Sequence, residues 1–323
     1  MDRCIIFGDS NSFITNILLE EILKLNKKHK YFDIIYIIDT QREYKPKNFL
    51  KILAILFVKF IFNKKFRTIT LIKSIKFLYT DLYKIGKKYR IPVKKVSSIK
   101  SKEFLSFLEQ NKVDVGIAVG CPQIFSSDVI RKFKYLVNYH NSLLPKYRGL
   151  CATSWSIYYG EKETGFTFHI VNDGIDEGNI LIQGGFPIDN RRSAFEMEII
   201  KTEMAKQKLL ELMIKIKNRE EGEKQQGKGS YWGRKEFEKI TIIENPEELT
   251  MHEILKRLEA FEILKIRIGR KLFPVTDAVY TNEQKGPFYI KTKDGFLKIK
   301  RILYMPISLY LLYLKLFKRR NNA

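Results

Sequence analysis

The sequence predicts an α/β protein in which a mostly parallel sheet with flanking helices is followed by a smaller, β-rich carboxyl-terminal region. Three observations support this fold class. Strand-like apolar runs alternate with helical segments up to about residue 193. These runs lack the polar alternation of a half-exposed strand, which indicates burial on both faces. From Tyr231 onward, short β-like runs surround one helical segment, MHEILKRLEAF.

The amino-terminal elements follow one another closely. A buried strand is predicted in RCIIFG, and it ends in a polar turn that contains Ser10 and Asn11. Apolar residues at helical spacing then predict an amphipathic helix that starts near Phe13. The run DIIYIID predicts a second strand, and residues 47–89 predict two helices that are rich in apolar residues and lysine.

The alternation continues through the middle of the chain. The run IPV predicts a short strand, SKEFLSFLEQ predicts a helix with Ser101 as its N-cap, and DVGIAVG predicts another buried strand. A long helix is expected after residue 193, followed by the polar stretch NREEGEKQQGKGS. We therefore expect a catalytic domain over residues 1–205 and a helix/β domain for the substrate side or dimerisation over residues 206–323.

Ligands of parallel sheets bind at the carboxyl ends of the strands. We expect the first domain to be Rossmann-like. Its ligand site is therefore expected beside the turns that follow Gly8, Gly120 and Tyr139. None of these turns carries the GxGxxG fingerprint of dinucleotide-binding folds or the GxxxxGK[ST] of a P-loop. The sequence therefore predicts neither of those nucleotide sites.

Composition excludes several classes of protein. A chain of 323 residues with 45% hydrophobic residues can bury a substantial core, which excludes a disordered chain. Three cysteines without CxxC spacing indicate neither a disulfide framework nor a zinc site, and we expect a cytoplasmic location. No secretory signal is expected, because the apolar start breaks into GDSNS. The longest apolar run, residues 49–62, carries two lysines and is too short to span a bilayer.

The formal net charge of +23 suggests a polyanionic partner. Composition offers another explanation, because the lysine excess accompanies an excess of Ile, Phe, Tyr and Asn, and the basic residues are spread along the whole chain. The alternatives are a nucleotide-linked substrate, an anionic membrane surface and RNA. The charge alone does not choose among them.

The densest polar clustering lies in LVNYHNSLLPKYRG and GFTFHIVNDGIDEGNIL. Asn138 and His140 occupy alternate positions at the end of a strand, so their side chains point to the same side. His169 lies within a strand, and Asp173 and Asp176 follow in a glycine-containing loop. An amide and an imidazole can donate to a developing oxyanion, and a carboxylate can fix the imidazole's protonation, which suits acyl transfer. The alternative is that these residues are caps and turn formers.

The sequence contains no GxSxG nucleophile elbow and no Cys–His signature. The expected reaction is therefore direct attack by an amine of the substrate. The same two strings resemble the core signature of the folate-dependent formyltransferases. That signature, Asn-x-His-x-Ser-Leu-Leu-Pro followed by an aspartate in an Ile-Asp-x-Gly turn, falls on Asn138, His140, residues 142–145 and Asp176. The resemblance is most specific over about residues 110–185.

The resemblance implies N10-formyltetrahydrofolate as the formyl donor and no metal. It also implies that Asn138 and His140 stabilise the oxyanion, while Asp176 pairs with His140 and assists proton transfer. His169 has a counterpart in two branches of the family, with a packed strand histidine as the alternative. The expected cofactor-binding residues are Gly120, Cys121, Pro122, Gln123, Ile124, Phe125 and Asp173. The expected substrate-binding residues are Ser10, Asn11, His169, Tyr147 and Arg148, the last of which could equally be a structural brace.

Departures from the other branches of the family favour the nucleotide-sugar N-formyltransferases. More than a hundred residues follow the long helix, which disfavours glycinamide ribonucleotide transformylase. Methionyl-tRNA formyltransferase remains the alternative, but its FxGTPxF opening is replaced by FGDSNSF. The expected acceptor is a nucleoside-diphosphate-linked amino-deoxysugar, with a 4-amino-4,6-dideoxy sugar favoured over a 3-amino sugar, for O-antigen or capsule biosynthesis. A catalytically degenerate binding module is the second alternative.

The resemblance further implies a homodimer, and a nucleic-acid partner is not favoured. Residues 49–62 and 302–320 pair broad apolar faces with lysine and arginine. We interpret them as core helices and a dimer interface. Peripheral contact with an anionic membrane surface is the alternative.

Overall fold

The computed structural model describes residues 1–41, 81–189, 191–282, 288–303 and 305–306. Within these ranges, no helix is both long and apolar enough to cross a membrane. The predicted helices between residues 47 and 80 lie outside the described residues, as does most of the segment 302–320.

A seven-stranded sheet forms the centre of the first half of the molecule. Its strands occur in the order β3-β2-β1-β4-β5-β7-β8. The first five in this order are parallel, whereas β7 is antiparallel to both of its neighbours. The strands of this half are β1 (Arg3–Gly8), β2 (Asp33–Asp39), β3 (Val93–Lys95), β4 (Val115–Val119), β5 (Tyr135–His140), β6 (Arg148–Gly149), β7 (Glu163–Ile170), β8 (Ile180–Pro187) and β9 (Tyr231–Trp232).

Side-chain caps begin several of the helices that flank this sheet. The hydroxyls of Ser12, Ser101 and Ser193 each accept a hydrogen bond from the main-chain N–H three residues further on, which confirms Ser101 as an N-cap. The helices of this half are α1 (Phe13–His29), α2 (Leu82–Tyr89), α3 (Lys102–Gln110), α4 (Ser127–Ile130), α5 (Ala152–Tyr158), α6 (Ala194–Gln207) and α7 (Leu209–Lys217).

Apolar clusters cover both faces of the main sheet. Ile6 of β1 packs with residues of α1 and α7 on one face, and Ile5 and Phe7 pack with residues of α3 on the other. Both faces of β1 are therefore buried, which explains why the sequence of this strand shows no polar alternation. The prediction of an α/β fold with a mostly parallel sheet is confirmed.

A six-stranded sheet forms the second half. Its strands follow the order β10-β11-β12-β14-β13, and β15 pairs with β14. The elements of this half are α8 (Arg234–Thr241), β10 (Ile242–Ile243), a 3-10 turn (Pro246–Glu248), α9 (Met251–Phe261), β11 (Leu264–Ile268), β12 (Lys271–Thr281), β13 (Tyr289–Thr292), β14 (Gly295–Ile302) and β15 (Met305–Pro306).

Aromatic side chains join the two halves. The rings of Trp155 on α5 and Trp232 on β9 stack with their centroids 4.3 Å apart, and Phe261 at the end of α9 packs edge-on against Trp155 at 4.9 Å. Alongside this contact, β6 pairs with β9 in a two-stranded parallel ladder. We refer to Trp155, Trp232 and Phe261 as the aromatic junction.

Two predictions need correction. The single long helix after residue 193 is two helices, α6 and α7, which meet at Lys208. The predicted boundary at residue 205 falls inside α6, and Leu209 and Leu212 of α7 belong to the first core. The first domain therefore continues through α7, because the apolar face of that helix is buried against the first sheet.

Candidate active site

Four polar side chains meet at the carboxyl end of β5. Asn138 and His140 project to the same side of this strand, as alternate positions must. Antiparallel pairing places His169 of β7 directly opposite Asn138. The loop between β7 and β8 then returns Asp176 to the same point. The sheet therefore brings together residues that are up to 38 positions apart in the chain.

Asp176 bridges the two histidines. Its Oδ2 lies 3.4 Å from His140 Nδ1 and accepts a hydrogen bond of 2.9 Å from the Gly149 N–H. Its Oδ1 lies 3.4 Å from His169 Nε2 and accepts a hydrogen bond of 3.4 Å from Asn138 Nδ2. Both carboxylate oxygens of Asp176 are thus held by polar groups that come from β5, β6 and β7.

The hydrogen bonds of His140 determine which ring nitrogen can exchange a proton. His140 Nε2 lies 2.9 Å from the carbonyl oxygen of Tyr147, which can only accept, so Nε2 carries a hydrogen. Nδ1 then faces Asp176 and is the nitrogen that gains or loses a proton. Burial lowers the pKa of His140, and the charge of Asp176 opposes this effect.

The charge of Asp176 is stabilised within the same cluster. Burial acts to raise the pKa of this carboxyl. The imidazoles of His140 and His169 and the Gly149 N–H outweigh burial and hold the pKa of Asp176 well below its usual range. At neutral pH the site therefore presents an ionised carboxylate beside the Nδ1 atom of a buried imidazole.

His169 lies within the cluster, at contact distance from Asn138 and Asp176. Its Nδ1 lies 2.9 Å from the carbonyl oxygen of Ile170 and therefore carries a hydrogen. Its Nε2 lies 3.2 Å from Asn138 Nδ2 and can accept a hydrogen bond from that amide. The two amide hydrogens of Asn138 are thus directed at His169 and Asp176.

The loop after β5 reaches the cluster through an unusual backbone path. Tyr147, Gly149 and Cys151 have φ angles of +58°, +92° and +56°. At Gly149 a Cβ atom would lie 2.5 Å from the carbonyl oxygen of Trp232, so the β6–β9 pairing requires glycine there. That pairing fixes the Gly149 N–H on Asp176.

The turn that follows β4 lies at the neighbouring strand end. Gly120 has a φ of +83°, and the Gln123 side chain is buried. Gln123 Nε2 donates to the carbonyl oxygen of Thr40 at 2.6 Å, and its Oε1 accepts from the Ile99 N–H at 3.0 Å. Within the described ranges, no hydrogen bond engages the main-chain N–H groups of Cys121, Ile124 or Phe125. These groups remain available to a planar ligand that has donors and acceptors on its edge.

Comparisons with known proteins agree with this geometry. Residues 72–213 match the family model described as formyl transferase. Over these residues the chain is similar to the formyl transferase family. It is 34% identical over 134 residues to a methionyl-tRNA formyltransferase of Trichodesmium erythraeum, a match that covers 41% of this chain and 40% of that protein. It is 28% identical over 226 residues to that of Clostridium tetani, covering 63% of this chain and 70% of that protein.

Solved formyltransferase structures share the fold over most of the chain. A sugar N-formyltransferase from a Shewanella species superposes with a TM-score of 0.58 at 17% identity, covering 87% of this chain and 96% of that one. An N-formyltransferase from Helicobacter canadensis, in complex with folinic acid and dTDP-3-aminofucose, superposes with a TM-score of 0.57 at 22% identity, covering 94% and 99%. At these identities the comparison establishes the fold. The Trichodesmium match, by contrast, spans two fifths of its relative's length.

The fold does not direct every predicted side chain towards the cluster. The Tyr147 hydroxyl donates to Glu161 Oε1 at 2.8 Å, and its ring is buried. Its carbonyl oxygen, not its side chain, reaches His140. The geometry therefore favours a structural role for Tyr147 over the predicted acceptor contact.

The remaining predicted residues occupy the rim or the neighbouring turns. Arg148 forms an ion pair with Glu177, the residue that follows Asp176. This ion pair is compatible with both roles predicted for Arg148, a contact with the acceptor and a structural brace. Ser10 is buried and donates to Gln41 Oε1 at 2.7 Å, whereas Asn11 is exposed. Asp173 is exposed in the loop between β7 and β8. Contacts of these residues with a ligand stay predictions.

Sequence reasoning missed the residues that hold the loops of this site in place. Thr167 Oγ1 donates to the carbonyl oxygen of Ser142 at 2.7 Å and accepts from Gln183 Nε2 at 2.9 Å. Gln225 Nε2 donates to the carbonyl oxygen of Asp176 at 2.8 Å. These polar residues lie in three separate segments, and their common purpose is visible only once the sheet register is known.

Proposed function

We propose that this protein is an N-formyltransferase that moves the formyl group of N10-formyltetrahydrofolate to the amine of a nucleoside-diphosphate-linked amino-deoxysugar. The observation that carries the proposal is the bridge formed by Asp176 between His140 and the Asn138 amide. This arrangement supplies hydrogen-bond donors for an oxyanion and a proton acceptor within one cluster. The formyl transferase match covers all three residues.

The chemistry follows from the protonation of the cluster. The acceptor amine attacks the formyl carbon, so a new C–N bond forms and the bond to the donor nitrogen breaks. The Asn138 amide exchanges its long contact with Asp176, at 3.4 Å, for a hydrogen bond to the oxygen that gains charge. The proton released by the amine is taken up by the Asp176–His140 pair, at His140 Nδ1, and is returned to the departing nitrogen. Because Asp176 is ionised and the pKa of His140 is lowered, the pair can accept that proton near neutral pH.

The turn after β4 supports binding of the formyl donor. The main-chain N–H groups of Cys121, Ile124 and Phe125, which have no hydrogen-bond partner among the described residues, can meet the edge of a pterin ring, whereas the Gln123 side chain is occupied by main-chain partners. Ile124 is 54% exposed and offers an apolar surface beside the turn. The donor supplies the activated formyl group, and the turn would hold and orient it.

The rim of the site supports an anionic acceptor. Arg148 stands next to the cluster, and the loop before β9, which contains Lys224 and Lys228, passes over Asp176 through the Gln225 hydrogen bond. A diphosphate bound on this side would lie beside a loop that carries two exposed lysines.

Methionyl-tRNA is the second candidate acceptor. The curated relatives named above are methionyl-tRNA formyltransferases, and the net charge of +23 would suit an RNA partner. The carbon that bears the amine, the nucleoside, the O-antigen or capsule role, the homodimer, the cytoplasmic location and the membrane contact stay predictions.

A competition experiment tests the proposal. Purified protein and N10-formyltetrahydrofolate are offered dTDP-, UDP- and GDP-linked 3- and 4-amino sugars together with initiator methionyl-tRNA, and mass spectrometry identifies the acceptor that gains a formyl group. We expect a formylated nucleotide sugar, whose identity gives the base and the amine position. Formylation of methionyl-tRNA instead would show that the second candidate, and not a nucleotide sugar, is the acceptor. No formylated product with any acceptor would contradict the enzyme assignment.

A further inference from the structure

A completely buried lysine lies behind the candidate active site. Lys201 on α6 is 0% exposed, and its Nζ donates to the carbonyl oxygen of Asn141 at 2.8 Å. It also donates to Thr153 Oγ1 and lies 3.4 Å from Glu198 Oε1. Asn141 Nδ2 in turn donates to Glu198 Oε1 at 2.9 Å. We refer to Asn141, Thr153, Glu198 and Lys201 as the Lys201 cluster.

The Lys201 cluster connects segments that carry the catalytic groups. Asn141 is bonded directly to His140 in the chain, and Thr153 lies in the first turn of α5, just after the Gly149 turn. Lys201 Nζ also lies 3.5 Å from Thr164 of β7, the strand that carries His169. One ammonium therefore contacts the segments that position His140, His169 and the Asp176 partner Gly149.

Stability alone does not explain a charge at this position. Burial of an ion pair costs desolvation energy, and apolar residues of similar volume often replace such a pair without loss. Within the described residues, the second oxygen of Glu198 is buried and has no hydrogen-bond partner, which adds to the cost. A costly polar group directly behind the catalytic histidine points to a role in the chemistry.

We infer that Lys201, held by Glu198, is a positioning residue that fixes the Asn141–Ser142 peptide, one residue after His140, and so keeps the His140 imidazole aligned with Asp176. This inference rests on the proposed function for its kinetic consequence. The charged groups that face His140 are Asp176 from the β7–β8 loop, His169 from β7 and Lys201 from α6. Among these, the Lys201 charge acts to lower the pKa of His140, in the same direction as burial.

The kinetic test compares Lys201→Met with Lys206→Met. Lys206 is on the same helix, but its side chain is partly exposed and pairs at the surface with Glu203 at 3.7 Å and with Glu21 at 3.9 Å. We expect Lys201→Met to lower kcat by about tenfold or more, with the KM of the acceptor changed by less than about threefold, because alignment is lost and not binding. Lys206→Met should behave like the parent protein. An unchanged kcat in a folded Lys201→Met protein would overturn the inference.

A double variant separates positioning from stability. Lys201→Met leaves Glu198 buried without its partner, whereas Glu198→Gln/Lys201→Met removes both charges and should recover much of the urea resistance. We expect the double variant to remain slow. A double variant with both parental stability and parental kcat would show that the cluster is structural and would overturn the inference.

A titration tests the same inference without any substrate. The chain has four histidines, so the imidazole NMR signals can be followed individually, with His140→Gln to assign the His140 signal. We expect the midpoint of His140 to move upward in Lys201→Met and to stay constant in Lys206→Met. If the His140 midpoint moves upward in Lys201→Met but the parent protein transfers no formyl group, the result would support the positioning role of Lys201 and refute the proposed function. An unchanged midpoint together with unchanged kcat would refute the positioning alone.

Discussion

At the scale of single residues, Asp176 organises the candidate site. It contacts His140, His169, Asn138 and the Gly149 N–H, and it does so from a φ of +54°, which a non-glycine residue rarely adopts. The sequence identified Asn138, His140 and Asp176 together by their resemblance to a signature. It left His169 undecided, because a lone strand histidine gives no indication of what faces it across the sheet.

Removal of the oxyanion donor Asn138 or of the proton acceptor His140 should abolish most turnover. We expect Asn138→Ala and His140→Ala each to lower kcat by about 10²–10³-fold, a loss typical of removing one oxyanion donor or one general base, without unfolding the protein. His252→Ala on α9 is the matched control, because His252 is exposed and far from β5 in the chain. Steady-state kinetics with the best acceptor measures the effect. Near-parental rates in either catalytic variant would contradict the proposed mechanism.

The buried imidazole of His140 should make stability depend on pH. Its pKa is lowered in the folded protein, so below the unfolded value of about 6.5 the unfolded chain binds a proton that the folded chain does not. Stability should therefore fall as the pH decreases from about 6.5 towards the folded pKa. The pKa of Asp176 is lowered too, but its contribution changes only below about pH 4.

Urea unfolding at pH 7.5 and 5.5 tests this prediction. The free energy of unfolding should depend less steeply on pH in His140→Gln, by up to about 1.4 kcal/mol per pH unit, which is the maximum for one proton. The control His252→Gln should retain the parental slope. A slope that is identical in all three proteins would mean that His140 titrates alike in the folded and unfolded chains.

At the scale of elements, the sequence predicted individual helices and strands well, but it predicted less well where a helix ends or breaks. Helix α9 and strand β2 occupy the predicted segments, because their apolar spacing and flanking caps are local signals. The predicted strand KITII is instead the end of α8 followed by a two-residue strand. The break between α6 and α7 gave no signal, because neither Gly nor Pro marks Lys208.

The turn after β4 depends on one glutamine. Gln123 joins this turn to the ends of β2 and β3 through Thr40, Val96 and Ile99. Gln123→Leu should lower the free energy of unfolding by about 2–3 kcal/mol, since it leaves several buried main-chain groups without partners. It should also weaken binding of the formyl donor, because the turn loses its fixed path.

Urea denaturation and a fluorescence titration with a folate measure these two effects. Gln110→Leu is the matched control, because Gln110 is exposed at the end of α3. A loss below about 0.5 kcal/mol in Gln123→Leu would show that water replaces the glutamine without penalty.

At the scale of the whole molecule, the aromatic junction couples the two halves to the site. Trp232 stacks on Trp155, and its strand holds β6 and therefore the Gly149 N–H on Asp176. The chain has two tryptophans, and both lie in this junction. Tryptophan fluorescence thus reports the junction, whereas far-UV circular dichroism reports all elements.

Truncation of the junction should uncouple the two halves. Trp232→Ala removes a stacked ring and is expected to cost about 2–4 kcal/mol. The remaining Trp155 fluorescence should then change at lower urea than the circular dichroism, and kcat should fall because Asp176 loses a fixed partner. Trp232→Phe, which keeps an aromatic ring, should show a smaller separation. Coincident transitions in Trp232→Ala would show that the halves do not depend on this contact.

The sequence by itself determined the fold class, the positions of most strands and the catalytic signature, because apolar periodicity and residue spacing are encoded locally. The tertiary structure alone decided the register that sets His169 opposite Asn138, the inward use of Gln123 and Tyr147, and the place of Lys201 behind His140. The domain limit belongs to the same group, since it depends on which sheet covers α7. Each of these features joins distant segments, and the energy that selects them arises only when those segments pack together.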